Sequence, residues 1–268
     1  MPSSEPQRQL VIIGGAEDKE EDCKILREFV RCAGGTQARI VVMTVATELT
    51  REVGDDYIRV FERLGVDDVR IVDTVHREDA SNSNAIEAIE KATGVFFTGG
   101  DQARITSTLK GTAIDESLHQ GYNAGLVIGG TSAGASMMPE TMIVEGIAET
   151  NPRMETVETG PGMGFLPGVV IDQHFAQRGR LGRLLSAVAQ QPQLLGLGID
   201  ENTAVVVRNN ELSVVGEGAV TIVDMKASTH NNRHQLLKDE ALALCGVKMH
   251  ILPDGYQFNL KDRSPILV

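Results

Sequence analysis

Short apolar runs alternate with segments of helical periodicity through the first half of the sequence. The apolar runs predict strands at 9–15, 39–45, 69–72, 94–98 and 126–129. Apolar residues at helical spacing predict helices around 18–33, 57–64, 85–92, 103–110 and 112–124. Crossover connections of this kind bring successive strands into one parallel sheet. We therefore expect an α/β fold with a doubly wound, mostly parallel sheet.

The second half of the sequence has a different pattern. Residues 137–165 are rich in Gly, Pro and Met and lack periodicity, which indicates a loop with packing methionines. Strands are predicted at 168–174 and beside Glu201, and short apolar runs from 211 onward predict an antiparallel extension. Because no repeat, low-complexity tract or long linker interrupts residues 1–268, we expect a single domain.

Charge and composition exclude several classes of function. The net charge of -12 argues against a nucleic-acid partner, because phosphate binding relies on clustered Lys and Arg. No apolar run is long enough to span a bilayer, and the N-terminal residues lack the features of a signal peptide. The three cysteines (Cys23, Cys32 and Cys245) indicate no disulfide framework. We therefore expect a cytoplasmic protein that binds neither nucleic acid nor membrane.

A G-x-S-x-G motif follows the strand at 126–129. In Gly130-Thr-Ser-Ala-Gly134 the glycines permit a cramped turn from strand to helix, which predicts Ser132 as a nucleophile. The N–H group of Ala133, at the start of the predicted helix, would stabilise an oxyanion. Gly99 and Gly100 end the neighbouring strand in the same way and are candidates for the second oxyanion donor. A plain Gly-rich turn is the alternative for both motifs.

Partners for Ser132 stand later in the sequence. The strand at 168–174 ends on His174, which is placed to act as a general base, with a structural role as the alternative. Glu201 or Asp200, at the mouth of another strand, could orient the imidazole. Three arginines that suit carboxylates follow the histidine, although solvated surface arginines are common: Arg178, Arg180 and Arg183.

The remaining motifs indicate neither a cofactor nor a metal. The loop Gly14-Gly-Ala-Glu-Asp-Lys19 is similar to a phosphate cradle, but it lacks the G-K-[ST] ending of a P-loop. His230 and His234 have the spacing of a metal pair on a helix, but the two asparagines between them indicate a loop, and no further ligand completes the set. We therefore expect no cofactor and no metal.

Five motifs together resemble those of the cyanophycinases, serine exopeptidases of the group that includes peptidase E. They are residues 14–19, 98–102, 130–135, 172–175 with the three arginines that follow, and 198–201. The resemblance extends from residue 14 to about 207. It implies a fold like that of class I glutamine amidotransferases, with Ser in place of the nucleophilic Cys, and a homodimer.

The resemblance also implies an activity and a set of site residues. Cyanophycin is a polyaspartate whose side-chain carboxyls each carry an arginine, and the family releases β-Asp-Arg dipeptides from it. Ser132 is implied as the nucleophile, His174 as the base and Glu201 as its orienting acid. The residues implied to bind substrate are Asp101, Gln102, Asp172, Gln173, Arg178, Arg180 and Arg183. In this arrangement Asp172 would pair with a substrate guanidinium, and the arginines with substrate carboxylates.

Two alternatives share these motifs. A dipeptidase similar to peptidase E would act on α-linked Asp peptides, but three arginines so close to His174 favour a cyanophycinase. A non-catalytic homologue could instead keep the serine turn and the arginine pocket in order to bind a peptide.

Overall fold

The computed structural model describes residues 7–148 and 151–266. The elements of the first half are β1 (Gln9–Ile13), α1 (Lys24–Cys32), β2 (Arg39–Met43), α2 (Thr50–Arg63), β3 (Asp68–Val72), α3 (Ser83–Lys91), β4 (Gly94–Phe97), α4 (Gln102–Leu109), α5 (Ala113–Asn123), β5 (Val127–Thr131) and α6 (Ala133–Ser136). Those of the second half are β6 (Thr141–Gly146), β7 (Val157–Pro161), β8 (Val169–Asp172), α7 (Leu181–Gln190), β9 (Leu195–Ile199), β10 (Thr203–Arg208), β11 (Glu211–Gly216), β12 (Ala219–Asp224), β13 (His230–Asn231), β14 (Leu244–Cys245), β15 (Lys248–Pro253), β16 (Gln257–Asn259) and β17 (Ser264–Ile266).

A nine-stranded sheet forms the centre of the fold, in the order β17-β16-β11-β10-β1-β5-β4-β2-β3. The five strands from β1 to β3 in this order are parallel to one another. The remaining four add to the β1 edge in antiparallel pairs. The α/β class, the parallel sheet and the antiparallel extension expected from the sequence are all present.

Both faces of the sheet are buried. Alternate residues of a strand point to opposite faces, and in β1 Leu10 and Ile12 join one hydrophobic cluster while Val11 and Ile13 join another. Helices α1 and α2 cover the second cluster, and α3, α4 and α5 cover the first. Among the described helices none is long and apolar enough to cross a membrane.

The first helix begins six residues later than the sequence predicts. The side chain of Asp18 accepts hydrogen bonds from the N–H groups of Glu20, Glu21 and Cys23 at 2.7 to 2.9 Å. Such side-chain bonds offer the backbone an alternative to a helix. The segment from Asp18 to Cys23 is therefore a hydrogen-bonded turn, and α1 starts at Lys24.

The apolar residues on either side of Glu201 belong to two different sheets. Strand β9 precedes Asp200 and lies in a second, four-stranded sheet of order β15-β12-β9-β8, whereas β10 follows and lies in the large sheet. Asn202, with a φ of 45°, turns the chain between them. This change of sheet places both carboxylates, Asp200 and Glu201, at the junction of the two sheets.

The segment predicted as a loop at 137–165 contains an antiparallel hairpin. Strands β6 and β7 pair with an irregularity between Ile143 and Glu145, which interrupts the alternation that would have revealed a strand. Met137, Met138 and Met142 are buried, as expected of packing methionines. The prediction of a loop was wrong because the bulge conceals the two-residue period.

Candidate active site

Ser132 lies in a tight turn between β5 and α6. Its φ of 53° and ψ of -109° are unfavourable for a residue with a side chain, at a cost of about 1–3 kcal/mol. A Cβ atom on Gly130 would lie 2.6 Å from the carbonyl oxygen of Gly134, and one on Gly134 would lie 2.4 Å from that of Phe97. Close backbone approach therefore requires both glycines of the motif.

Ser132, His174 and Glu201 form a continuous hydrogen-bonded chain. The Oγ atom of Ser132 lies 3.0 Å from Nε2 of His174, and Nδ1 of His174 lies 2.6 Å from Oε1 of Glu201. Because an ionised carboxylate only accepts hydrogen bonds, Nδ1 carries the proton and Nε2 accepts from the serine hydroxyl. This is the tautomer in which an imidazole can take the proton of Ser132.

The surroundings of His174 favour its neutral form. Burial lowers the pKa of the imidazole, and the positive charges of Arg178 and Arg180 lower it further. The hydrogen bond to Glu201 acts in the opposite direction, but the pKa of His174 remains below its ordinary value. A neutral imidazole is the form that works as a general base near neutral pH.

Asp200 has a different set of partners from its neighbour Glu201. Its Oδ1 accepts from the N–H group of Ala176, and its Oδ2 from that of Ala219, both at 3.0 Å. These bonds join the segment after His174 to the start of β12. Of the two adjacent carboxylates, Glu201 is the one that contacts the imidazole.

Three backbone N–H groups belong to the two glycine-containing turns that follow β4 and β5. Within residues 7–148 and 151–266 the N–H groups of Gly99, Gly100 and Ala133 donate to no backbone acceptor. Gly99 lies against the serine, since a Cβ atom on it would be 3.5 Å from Cβ of Ser132. Ala133 begins α6, where N–H groups have no partner within the helix. These three N–H groups are the ones that the sequence predicts as oxyanion donors.

The three arginines after the histidine comprise one exposed and two buried side chains. Arg178 is exposed, whereas Arg180 and Arg183 are each 8% exposed. Arg183 donates to both carboxylate oxygens of Asp172, and Arg180 donates to one of them at 3.3 Å and to the carbonyl oxygen of Gln173 at 2.6 Å. The carboxylate of Asp172 is therefore occupied within the protein. It is not free for the substrate guanidinium expected from the sequence.

The other residues predicted to bind substrate have different partners. Gln173 places its Oε1 atom 3.4 Å from Oγ of Ser132. Gln102 donates through Nε2 to two carbonyl oxygens of β6, at 3.1 and 2.6 Å. Asp101 caps α4 with its side chain, which accepts from two N–H groups of that helix. Gln102 thus links the start of α4 to β6, and Asp101 caps the same helix.

The family profile described as Peptidase family S51 matches residues 10–215, from β1 into β11. This stretch includes Ser132, His174 and Glu201. The chain belongs to peptidase family S51. It is a peptidase, as the sequence predicts.

Three proteins named cyanophycinase are similar to this S51 peptidase over most of its length. The one from Geminocystis herdmanii (strain PCC 6308) is 39% identical over 259 residues, which cover 96% of this chain and 95% of the relative. The one from Trichormus variabilis (strain ATCC 29413 / PCC 7937) is 41% identical over 257 residues, with coverages of 95% and 86%. The one from Synechococcus elongatus is 38% identical over 257 residues, with coverages of 95% and 80%. They confirm the resemblance to the cyanophycinases.

Solved structures of peptidases share the fold. A peptidase from an acI-B1 Actinobacterium matches with a TM-score of 0.69 at 20% identity, covering 97% of this chain and all (100%) of that one. A putative peptidase E protein from Listeria monocytogenes EGD-e matches with a TM-score of 0.58 at 17% identity, covering 78% and 98%. At these identities the similarity concerns the fold alone.

The loop at 14–19, one of the five family motifs, lies against His174 and next to Glu201, a placement that the motif alone does not predict. A Cβ atom on Gly15, whose φ is +104°, would lie 2.3 Å from Cε1 of His174. The carbonyl oxygen of Gly15 accepts from the N–H group of Asn202 at 2.9 Å, next to Glu201. The pair of glycines after β1 was a signal of close approach, but nothing in the sequence identifies His174 as the approaching group.

Proposed function

We propose that this chain is a serine exopeptidase that hydrolyses cyanophycin to β-Asp-Arg dipeptides. The observation that carries the proposal is the hydrogen-bonded chain from Ser132 through His174 to Glu201. The N–H groups of Gly99 and Ala133, which have no backbone acceptor among the described residues, add support. Similarity of 38 to 41% identity to proteins named cyanophycinase supports the choice of substrate.

Acylation is the first half of the proposed reaction. Nε2 of His174 takes the hydroxyl proton as Oγ of Ser132 attacks the carbonyl carbon of a polymer backbone amide. The N–H groups of Gly99, Gly100 and Ala133 bind the oxyanion of the tetrahedral intermediate. The intermediate collapses when Nε2 gives its proton to the amide nitrogen, which leaves as an amine. Glu201 holds the imidazole through Nδ1 and stabilises its transient positive charge.

Deacylation reverses these roles. Nε2 of His174 takes a proton from water as the water oxygen attacks the ester carbonyl of the acyl-enzyme. The second tetrahedral intermediate collapses with return of the proton to Oγ of Ser132. The dipeptide leaves as a free acid, and the enzyme is restored. Water is the only co-reactant that these two half-reactions consume. We therefore propose that no metal or organic cofactor takes part.

In the proposed substrate site the arginines have unequal roles. The exposed guanidinium of Arg178 binds a carboxylate of the substrate, because each arginine of cyanophycin carries a free one. Asp101, Gln102 and Gln173 line the same site. Arg180 and Arg183 are buried and paired with Asp172, and they support the site from the protein interior.

We also propose an architecture, an oligomeric state and a location for this peptidase. Residues 1–268 form one domain with a fold like that of class I glutamine amidotransferases, and the turn at Ser132 is a nucleophile elbow. The active form is a homodimer in the cytoplasm. Light scattering coupled to size-exclusion chromatography measures the mass directly, and a mass near the 28.9 kDa of one chain contradicts the dimer.

The test uses insoluble cyanophycin incubated with the wild type or with Ser132→Ala, followed by mass spectrometry of the soluble products. We expect the β-Asp-Arg dipeptide from the wild type and a kcat lowered about 10⁴- to 10⁶-fold in the folded variant. Near-normal turnover by the variant removes the nucleophile assignment. Cleavage of an α-Asp dipeptide, with no product from cyanophycin, shows a dipeptidase similar to peptidase E instead.

A further inference from the structure

The loop at 14–19 contacts the segments of all three proposed catalytic residues. The carbonyl oxygen of Gly14 accepts from the N–H group of His174 at 2.7 Å. That of Gly15 accepts from Asn202, the residue after Glu201, at 2.9 Å. The third contact is made by a side chain, since Glu17 accepts from the hydroxyl of Thr131, the residue before Ser132, at 2.6 Å.

Glu17 is a buried carboxylate between two hydroxyl groups. It is 6% exposed, its Oε2 accepts from Thr131, and its Oε1 accepts from the hydroxyl of Tyr57 at 2.5 Å. The nearest ammonium, of Lys19, lies 3.9 Å from Oε1. A buried carboxylate is costly unless its oxygens are hydrogen-bonded. The hydrogen bonds to the Glu17 carboxylate therefore fix the positions of both hydroxyl groups.

The two hydroxyl donors, Tyr57 and Thr131, lie in different surroundings. Tyr57 lies in α2 and packs against Phe61 and Phe96 in the hydrophobic cluster on that face of the sheet. Thr131 is the last residue of β5, is 4% exposed and leads directly into the unfavourable backbone of Ser132. A conformation of that kind persists only where the surrounding structure holds it.

We infer that Glu17 is a positioning residue for the nucleophile: its buried carboxylate holds Thr131 by the hydroxyl and so keeps Ser132 in its strained turn. This inference rests on the proposed function. Glu17 acts through Thr131, and within the described residues its side chain makes no hydrogen bond or ion pair with Ser132, His174 or Glu201. It governs where Oγ of Ser132 lies and leaves the basicity of His174 to other groups.

The test removes, one at a time, the two hydroxyl groups that donate to Glu17, those of Thr131 and Tyr57. Thr131→Val removes the bond on the Ser132 segment with little change in shape, and Tyr57→Phe removes the bond on α2. We expect Thr131→Val and Glu17→Gln each to lower kcat about tenfold with KM within about twofold, as loss of transition-state positioning requires. The double variant should lose no more than the larger single loss. Tyr57→Phe should change kcat less than about twofold.

Two further measurements distinguish a positioning role of Glu17 from a general loss of structure. The acid limb of kcat/KM should keep its midpoint in all these variants, because the charged groups that shift the pKa of His174 are Glu201, Arg178 and Arg180. The rate at which a serine-directed phosphonate labels Ser132 should fall with kcat, independently of the polymer. Full kcat and labelling rate in folded Thr131→Val, or an equal fall in Tyr57→Phe, overturns the inference alone. A wild type that is labelled but releases no dipeptide overturns only the proposed substrate.

Discussion

Arg183 and Asp172 form a buried ion pair in which the guanidinium donates to both oxygens of the carboxylate. Their side chains are 9% and 1% exposed, and Arg180 adds a third charged group to the pair. The charged side chains of Asp172, Arg180 and Arg183 therefore bind chiefly to one another. Of the three arginines that follow His174, Arg178 is the one that faces solvent.

Asp172→Asn should destabilise the protein strongly. Removing the carboxylate charge leaves two buried guanidinium groups without their counter-ion, which typically costs about 3–5 kcal/mol. Urea denaturation measures the free energy of unfolding. Arg178→Ala is the matched control, since loss of an exposed side chain should change that free energy by less than about 0.5 kcal/mol. Equal losses in the two variants contradict the structural role given to Asp172.

Glu201→Gln and Asp200→Asn should distinguish the roles of two adjacent carboxylates. Glu201→Gln should lower kcat about 10⁴-fold, because the imidazole loses the acceptor that fixes its tautomer. Asp200→Asn should leave kcat within a few-fold but lower the free energy of unfolding by about 1–3 kcal/mol, since one backbone N–H group then meets an amide NH₂. Steady-state kinetics and urea denaturation of both variants supply the comparison. A larger loss of kcat in Asp200→Asn shows that the acid has been misassigned.

The acid limb of kcat/KM should reflect the lowered pKa of His174. Protonated His174 cannot take the proton of Ser132, so activity falls as the pH drops through the pKa of His174 in the free enzyme. Burial and the charges of Arg178 and Arg180 place this midpoint below about 6.5, the ordinary value for histidine. Arg178→Met removes a positive charge and should move the midpoint to higher pH, whereas Arg178→Lys should not. The same displacement in both variants points to a cause other than charge.

Gly15→Ala should inactivate the enzyme by displacing His174. The new methyl group would occupy the position of the imidazole, and misplacement of a catalytic group by about 1 Å can cost about 100-fold in rate. Gly255→Ala is the control, because Gly255 also has a positive φ, +82°, but nothing lies within 4 Å of its Cβ position. Each change should cost about 1–2 kcal/mol of stability through backbone strain. If kcat/KM falls equally in both, strain rather than contact with His174 is responsible.

Much of the fold follows from local patterns in the sequence. Alternating apolar runs and amphipathic segments predict the five parallel strands and the helices on both faces, because burial on two faces requires that pattern. The β6–β7 hairpin escaped prediction because a bulge near Ile143 removes its alternation. The division between β9 and β10 escaped too, since a chain that changes sheets at Asn202 keeps its apolar character on both sides of the turn.

The sequence by itself determined the local chemistry: a serine between two glycines, a histidine at the end of a strand, and two carboxylates near a third strand. Only the tertiary structure decided which groups meet. It brought Glu201 rather than Asp200 to the imidazole, paired Asp172 with Arg180 and Arg183, and placed Glu17 against Thr131. Adjacent carboxylates have the same chemistry, and hydrogen bonds and ion pairs depend on distance and direction. Those are set by the packing of segments far apart in the chain.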